Sequence, residues 1–101
     1  GVPRSTISRH GAVSAEVAEA MVEGVLERTD ARAAISVTGI AGPGGGSDEK
    51  PVGTVYIAWQ FPGVETMSER FHFHGDRDEV RRQSVATALS ELVRLIQVAP
   101  A

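Results

Sequence analysis

Ala33-Ala34-Ile35-Ser36-Val37-Thr38, followed at once by Gly39-Ile40-Ala41-Gly42-Pro43-Gly44-Gly45-Gly46, is the stretch from which the rest of the chain can be read. Residues 33–38 are apolar on both alternations, the pattern of a central strand covered on both faces. The run after it holds five of the chain's eleven glycines within eight positions. Without Cβ atoms such a loop takes positive φ and lets a ligand approach its N–H groups, which in consecutive turns form concave anion nests. A glycine run by itself reads equally well as a flexible connector. Its flanks favour a binding loop, because Gly53-Thr54-Val55-Tyr56-Ile57-Ala58-Trp59 has the character of a second strand. Thr38 stands at the carboxyl end of the first strand, where open α/β sheets place ligand contacts.

Upstream, Ser14 is placed to N-cap a helix running to about Arg28, whose apolar face combines Val17, Met21 and Val25 with Ala18, Val22 and Leu26. Downstream, Val55, Ile57 and Trp59 alternate with Tyr56, Ala58 and Gln60. Pro62-Gly63 supplies a turn and residues 67–73 alternate again, which predicts an antiparallel hairpin. Asp76 with Glu79 three residues on forms a capping-box signature. Val85, Ala88, Leu89, Leu92, Leu95 and Ile96 then supply the buried stripe of a long final helix. The expected order is α-β-β-β-α, an α/β fold layered as an α/β/α sandwich around a mixed sheet. A chain of 101 residues buries somewhat more than about 60% of its unfolded surface, enough for one core and no second domain.

Composition removes several function classes. Ten basic residues against thirteen acidic ones leave a formal charge of −3, which argues against nonspecific nucleic-acid binding. The absence of cysteine excludes a disulfide framework and a thiolate nucleophile within these residues. No apolar run approaches the roughly 18 residues of a membrane span, so a cytoplasmic location is the expectation.

The glycine loop fits neither common phosphate-binding pattern. GxxxxGK[ST] would need a lysine after Gly44, where Gly45 stands, and no GxGxxG precedes a helix. A second candidate for chemistry is the start of the last helix, where backbone N–H groups carry partial positive charge and Arg77 adds a planar cation matched to phosphate oxygens. The same arginine also reads as a solvated partner of Asp76, Asp78 or Glu79. Arg81, one turn on, is placed to share an anion, and Arg82 points roughly 100° away toward the surface. His72 and His74 share a strand face, but no third metal ligand accompanies them and no metal is expected. Lys50, the only lysine, reads either as a guard for an anionic ligand or as an ordinary loop charge. Tyr56 and Trp59 fall on opposite strand faces, so Trp59 belongs to core or interface packing.

The run TGIAGPGGGSDEKPVGTVYIA, Thr38 to Ala58, resembles the signature of the CinA C-terminal domain family, which includes nicotinamide mononucleotide (NMN) deamidases. Arg9-His10-Gly11-Ala12-Val13-Ser14 is similar to the family's RHGAVS segment, and Gly75-Asp76-Arg77 with Val80-Arg81 is similar to its GDRxxVR. The family's nucleophilic serine lies in an ESCTGG segment and its associated tyrosine and lysine in an AYSNEAK-like one; residues 1–101 contain neither. Gly1-Val2-Pro3 resembles the LGVP that follows that lysine, so the chain is expected to be the larger C-terminal part of the domain. The resemblance implies hydrolysis of NMN to nicotinate mononucleotide and ammonia without a cofactor. Thr38, Gly39, Ala41 and Gly42 are then expected against the nucleotide, Arg77 against its phosphate, and no catalytic residue within the chain. The competing readings are a non-catalytic nucleotide-binding or interaction module, and the appended domain of a two-domain family member. An apolar patch left uncovered around Trp59 would drive self-association, most simply as a symmetric dimer.

Overall fold

The structure is a computed structural model and describes residues 2–61 and 64–98. Ser14 opens the first long helix, α2 (Ala15–Arg28), as its side chain allows: Oγ accepts the Val17 N–H at 3.2 Å and donates to the Gly11 carbonyl at 2.9 Å. A short helix absent from the expected order precedes it. α1 (Arg4–His10) follows Pro3, whose φ of −58° suits a helix start and whose carbonyl accepts from Thr6 and Ile7. Its sequence, RSTISRH, has no apolar period and buries no residue, so no sequence signal marked it.

Three strands follow, β1 (Ala34–Gly39), β2 (Thr54–Gln60) and β3 (Met67–His72), in sheet order β1-β2-β3. Both pairings are antiparallel, with Val37 opposite Ile57 and Ala58 opposite Ser68. The expected mixed sheet therefore shows no parallel pair among the described residues. The expectation that residues 33–38 form a central strand is also corrected for the described residues: among them β1 pairs on one side only, and β2 is the strand buried through both faces. Apolar alternation reports which faces are covered, and it says nothing about which edges are paired. The Pro62-Gly63 turn lies outside the described residues.

α2 covers one face of the sheet, packing Ala18 and Val22 against Ala34, Tyr56 and Ala58. α3 (Arg77–Val98) covers the other, where Val80, Ala88 and Leu95 meet Val55, Ile57, Trp59 and Phe61. The chain is thus an α/β/α sandwich. Trp59 is buried, in keeping with core packing and against an uncovered patch around it, and its Nε1–H donates to the Ala88 carbonyl at 3.0 Å. Most of the exposed large apolar residues lie on the helices, and Val37 on β1 is exposed as well. The expected buried stripes are corrected here: Val25 is exposed on α2, as are Val85, Leu89 and Ile96 on α3, because a three-stranded sheet is narrower than the stripes those helices carry. No described helix is long and apolar enough to cross a membrane.

Candidate functional site

β1 ends at Gly39 because the chain must turn hard against its neighbour there. A Cβ on Gly39 would lie 2.8 Å from Val55 Cγ2 and 2.9 Å from the Thr54 carbonyl oxygen, closer than any side chain tolerates. Gly42 has φ +88°, and a Cβ on it would stand 2.6 Å from Val52 Cγ1. The loop folds back on itself and is held in register by the main chain. Ile40 N–H donates to Thr54 O at 2.9 Å, and Gly53 N–H donates to Ile40 O at 2.7 Å. These bonds fix the two ends of the segment, at Ile40 and at Gly53.

The α3 terminus meets this loop. Asp76 Oδ1 accepts the Glu79 N–H at 2.9 Å and Glu79 Oε1 accepts the Asp76 N–H at 3.2 Å, the reciprocal box its spacing predicts. Two consequences follow for anion binding. The capping carboxylates already occupy part of the helix terminus and oppose a second negative charge there. The attraction for an anion then comes from the guanidinium groups of Arg77 and Arg81. Arg77 Nη1–H donates to the Gly42 carbonyl at 3.2 Å, so the arginine is oriented by the glycine loop and keeps donors free. Gly39, Ala41, Arg77 and Arg81 share a cleft of about 380 Å3 with Val37 and Val85 at its margin.

Of the five residues expected from sequence, Gly39, Ala41 and Arg77 line this cleft and Gly42 joins it through its carbonyl. Thr38 does not. Alternation turns its side chain to the opposite face of the sheet from Val37 and Gly39, where Oγ1–H donates to the Ala12 carbonyl at 2.8 Å. Arg82 is exposed and does not line the cleft. His72 Nε2 sits 3.0 Å from the Val52 carbonyl, and no group of three metal-binding side chains occurs among the described residues.

Two cations acquire roles that the sequence reading missed or left open. Arg70 donates from Nη2 to the Glu49 carbonyl at 2.8 Å, and its guanidinium carbon lies 5.8 Å from the centre of the Tyr56 ring. The β2–β3 register that sets Arg70 opposite Tyr56 was the available signal. Lys50 neither guards the cleft nor extends into solvent: its Nζ donates to the His10 and Val13 carbonyls. On α3, the Arg94 hydrogen bond holds the Glu91 carboxyl below its ordinary pKa and raises that of Arg94 itself. Neither member of that exposed pair lines the cleft.

The family described as CinA C-terminal domain matches residues 1–96. A nicotinamide-nucleotide amidohydrolase PncC from Pseudomonas putida is 53% identical over 95 residues, which are 94% of this chain and 59% of that protein. A CinA-like protein from Myxococcus xanthus is 50% identical over 101 residues, all of this chain and 24% of that one. The crystal structure of the competence/damage inducible protein CihA from Agrobacterium tumefaciens superposes with a TM-score of 0.89 at 43% identity, covering 94% of this chain and 58% of that one. The chain therefore spans less than two thirds of the length of each.

Proposed function

This chain belongs to the CinA C-terminal domain family, and on that premise we propose that it is the nucleotide-binding part of a nicotinamide-nucleotide amidase. The reaction is hydrolysis of NMN: water adds to the amide carbon, the C–N bond breaks, and nicotinate mononucleotide and ammonia leave. The observation that carries the binding role is the convergence of Gly39, Ala41 and Arg77 on one cleft of about 380 Å3, a volume within the range of small-molecule sites. Gly39 and Gly42 let the loop close on Val55 and Val52 at the cleft, and Arg77 with Arg81 addresses the phosphate. Thr38, turned to the other face, supports the loop through Ala12. Amide hydrolysis also needs an activated nucleophile and oxyanion donors. The proposal places none of these among residues 1–101, where the family's ESCTGG and AYSNEAK-like segments do not occur.

Calorimetric titration with NMN and with nicotinamide riboside tests the assignment. Charge-assisted bonds to the phosphate are each worth about 1.5–3 kcal/mol, so the mononucleotide should bind at least about tenfold more tightly. Equal affinities would remove the phosphate from Arg77 and the nucleotide from the cleft.

The CinA-like relative of which the chain covers only 24% is in keeping with the reading as an appended domain of a longer protein, and a nucleotide-binding module without its own chemistry is the further alternative. NMN binding with no ammonia release by the longest natural polypeptide containing residues 1–101 would favour the module. Self-association and a cytoplasmic location belong to the same proposal. The surface that would support self-association is the outer face of α3 rather than Trp59.

A further inference from the structure

Residues 10–13 are the last residue of α1 and the first three of the connection to α2, and each of their four carbonyls has a hydrogen-bond donor. Gly11 O accepts from Ser14 Oγ at 2.9 Å, within the turn itself. The other three are served from across the molecule. Ala12 O accepts from Thr38 Oγ1 at 2.8 Å, while Val13 O and His10 O accept from Lys50 Nζ at 2.5 and 3.3 Å. The same ammonium stands 5.7 Å from the centre of the Tyr56 ring. Lys50 forms no ion pair with a carboxylate among the described residues. Its charge is satisfied by main-chain dipoles and a ring face.

The main chain of Lys50 is fixed as well. Its N–H donates to Ser47 Oγ at 3.1 Å and its carbonyl accepts the Ser47 N–H at 2.9 Å, closing a tight turn at the far end of the glycine loop. Arg77 holds the near end through the Gly42 carbonyl. The loop is therefore anchored at both ends by cations, one from α3 and one reaching the α1–α2 turn. Gly11, at φ +81°, carries no Cβ on the side where Lys50 arrives; an added one would stand 3.9 Å from Nζ.

We propose that Lys50 is a positioning residue, whose ammonium clamps the glycine-rich loop to the His10–Val13 carbonyls and so sets the shape of the cleft formed by Gly39, Ala41, Gly42 and Arg77. Lys50 acts through the loop and does not touch the ligand. Only the ligand-affinity part of this inference rests on the nucleotide-binding reading.

Because Lys50 is the only lysine, its ammonium can be observed without selective labelling. In the unaltered chain its 15N–1H signal should persist under conditions where a freely solvated ammonium exchanges away, and loss of the signal overturns the clamp. Lys50→Met keeps the apolar stem and removes the donors. Amide exchange in residues 10–13 and 47–50 should then accelerate about tenfold, the weight of one charge-assisted bond, while amides of β2 and α3 keep their protection. Lys50→Arg, which retains a cationic donor, should recover most of that protection. Unchanged exchange in Lys50→Met, or equal acceleration throughout the chain, contradicts a local clamp. NMN affinity should fall about tenfold in Lys50→Met and recover in Lys50→Arg. If the unaltered chain binds no NMN, the nucleotide reading fails while the exchange and ammonium measurements still decide the role of Lys50.

Discussion

β2 and the outer face of α3 are built from the same aliphatic residue types and meet opposite fates. Val55 and Ile57 are 2% and 0% exposed, whereas Val85, Leu89, Val93 and Ile96 are each more than half exposed. β2 lies between two strands and beneath two helices, so both of its faces find cover from elements within the chain. α3 carries apolar residues on two sides. Val80, Ala88 and Leu95 pack on the sheet, and the others, spaced at about one per helical turn, face away from it. A helix that is apolar on opposite sides is suited to being covered twice. The difference teaches that the apolar character of a segment sets a demand for burial, and the neighbours decide whether it is met.

The sharpest way to break this comparison is to cut a side chain on each side of it. Ile57→Ala removes three carbons from a site with no exposure, and urea unfolding should show a loss of about 2–5 kcal/mol. A loss below about 1 kcal/mol would mean that the α3 side of the sheet is not closed as described. Trp59→Phe keeps most of the packing but removes the N–H that reaches Ala88 across the same layer. Its expected cost is about 1–2 kcal/mol in the same measurement. An unchanged midpoint would make that hydrogen bond incidental. Leu89→Ser lies at the other pole and should alter stability by no more than about 0.5 kcal/mol. Sedimentation equilibrium at micromolar concentration should instead show this variant shifted toward monomer relative to the unaltered chain. A monomeric unaltered chain removes the proposed self-association, and a Leu89→Ser variant as unstable as Ile57→Ala removes the comparison itself.

The elements bounded by strong local chemistry were legible in the sequence. The Ser14 cap and the Asp76–Glu79 box bound both long helices, and hydrogen bonds at both sites bear this out. The family signature at residues 38–58 was equally plain, and of its glycines Gly39, Gly42 and Gly46 stand where a Cβ would come within 2.6–2.8 Å of a neighbouring atom, whereas Gly44 meets none. α1 was not legible, since a seven-residue helix that buries nothing has no periodic pattern to betray it. Of the residues expected against the nucleotide, Gly39, Ala41 and Arg77 line one cleft, while Thr38, expected there from its place at the strand's end and from the family resemblance, faces away from it. Alternation by a single residue turned Thr38 to the other face of the sheet.

Local rules thus determined where the two long helices begin and which strands are apolar, because each depends on residues within a turn or two. Tertiary structure alone decided that β2 lies between the other two described strands, that the Trp59 N–H reaches the Ala88 carbonyl, and that Lys50 spends its charge on carbonyls some forty positions upstream. Strand order, helix cover and the partner of a long cationic side chain are properties of which segments meet. Those meetings are settled by the competition of all faces for burial and of all buried polar groups for partners, which no window of sequence contains.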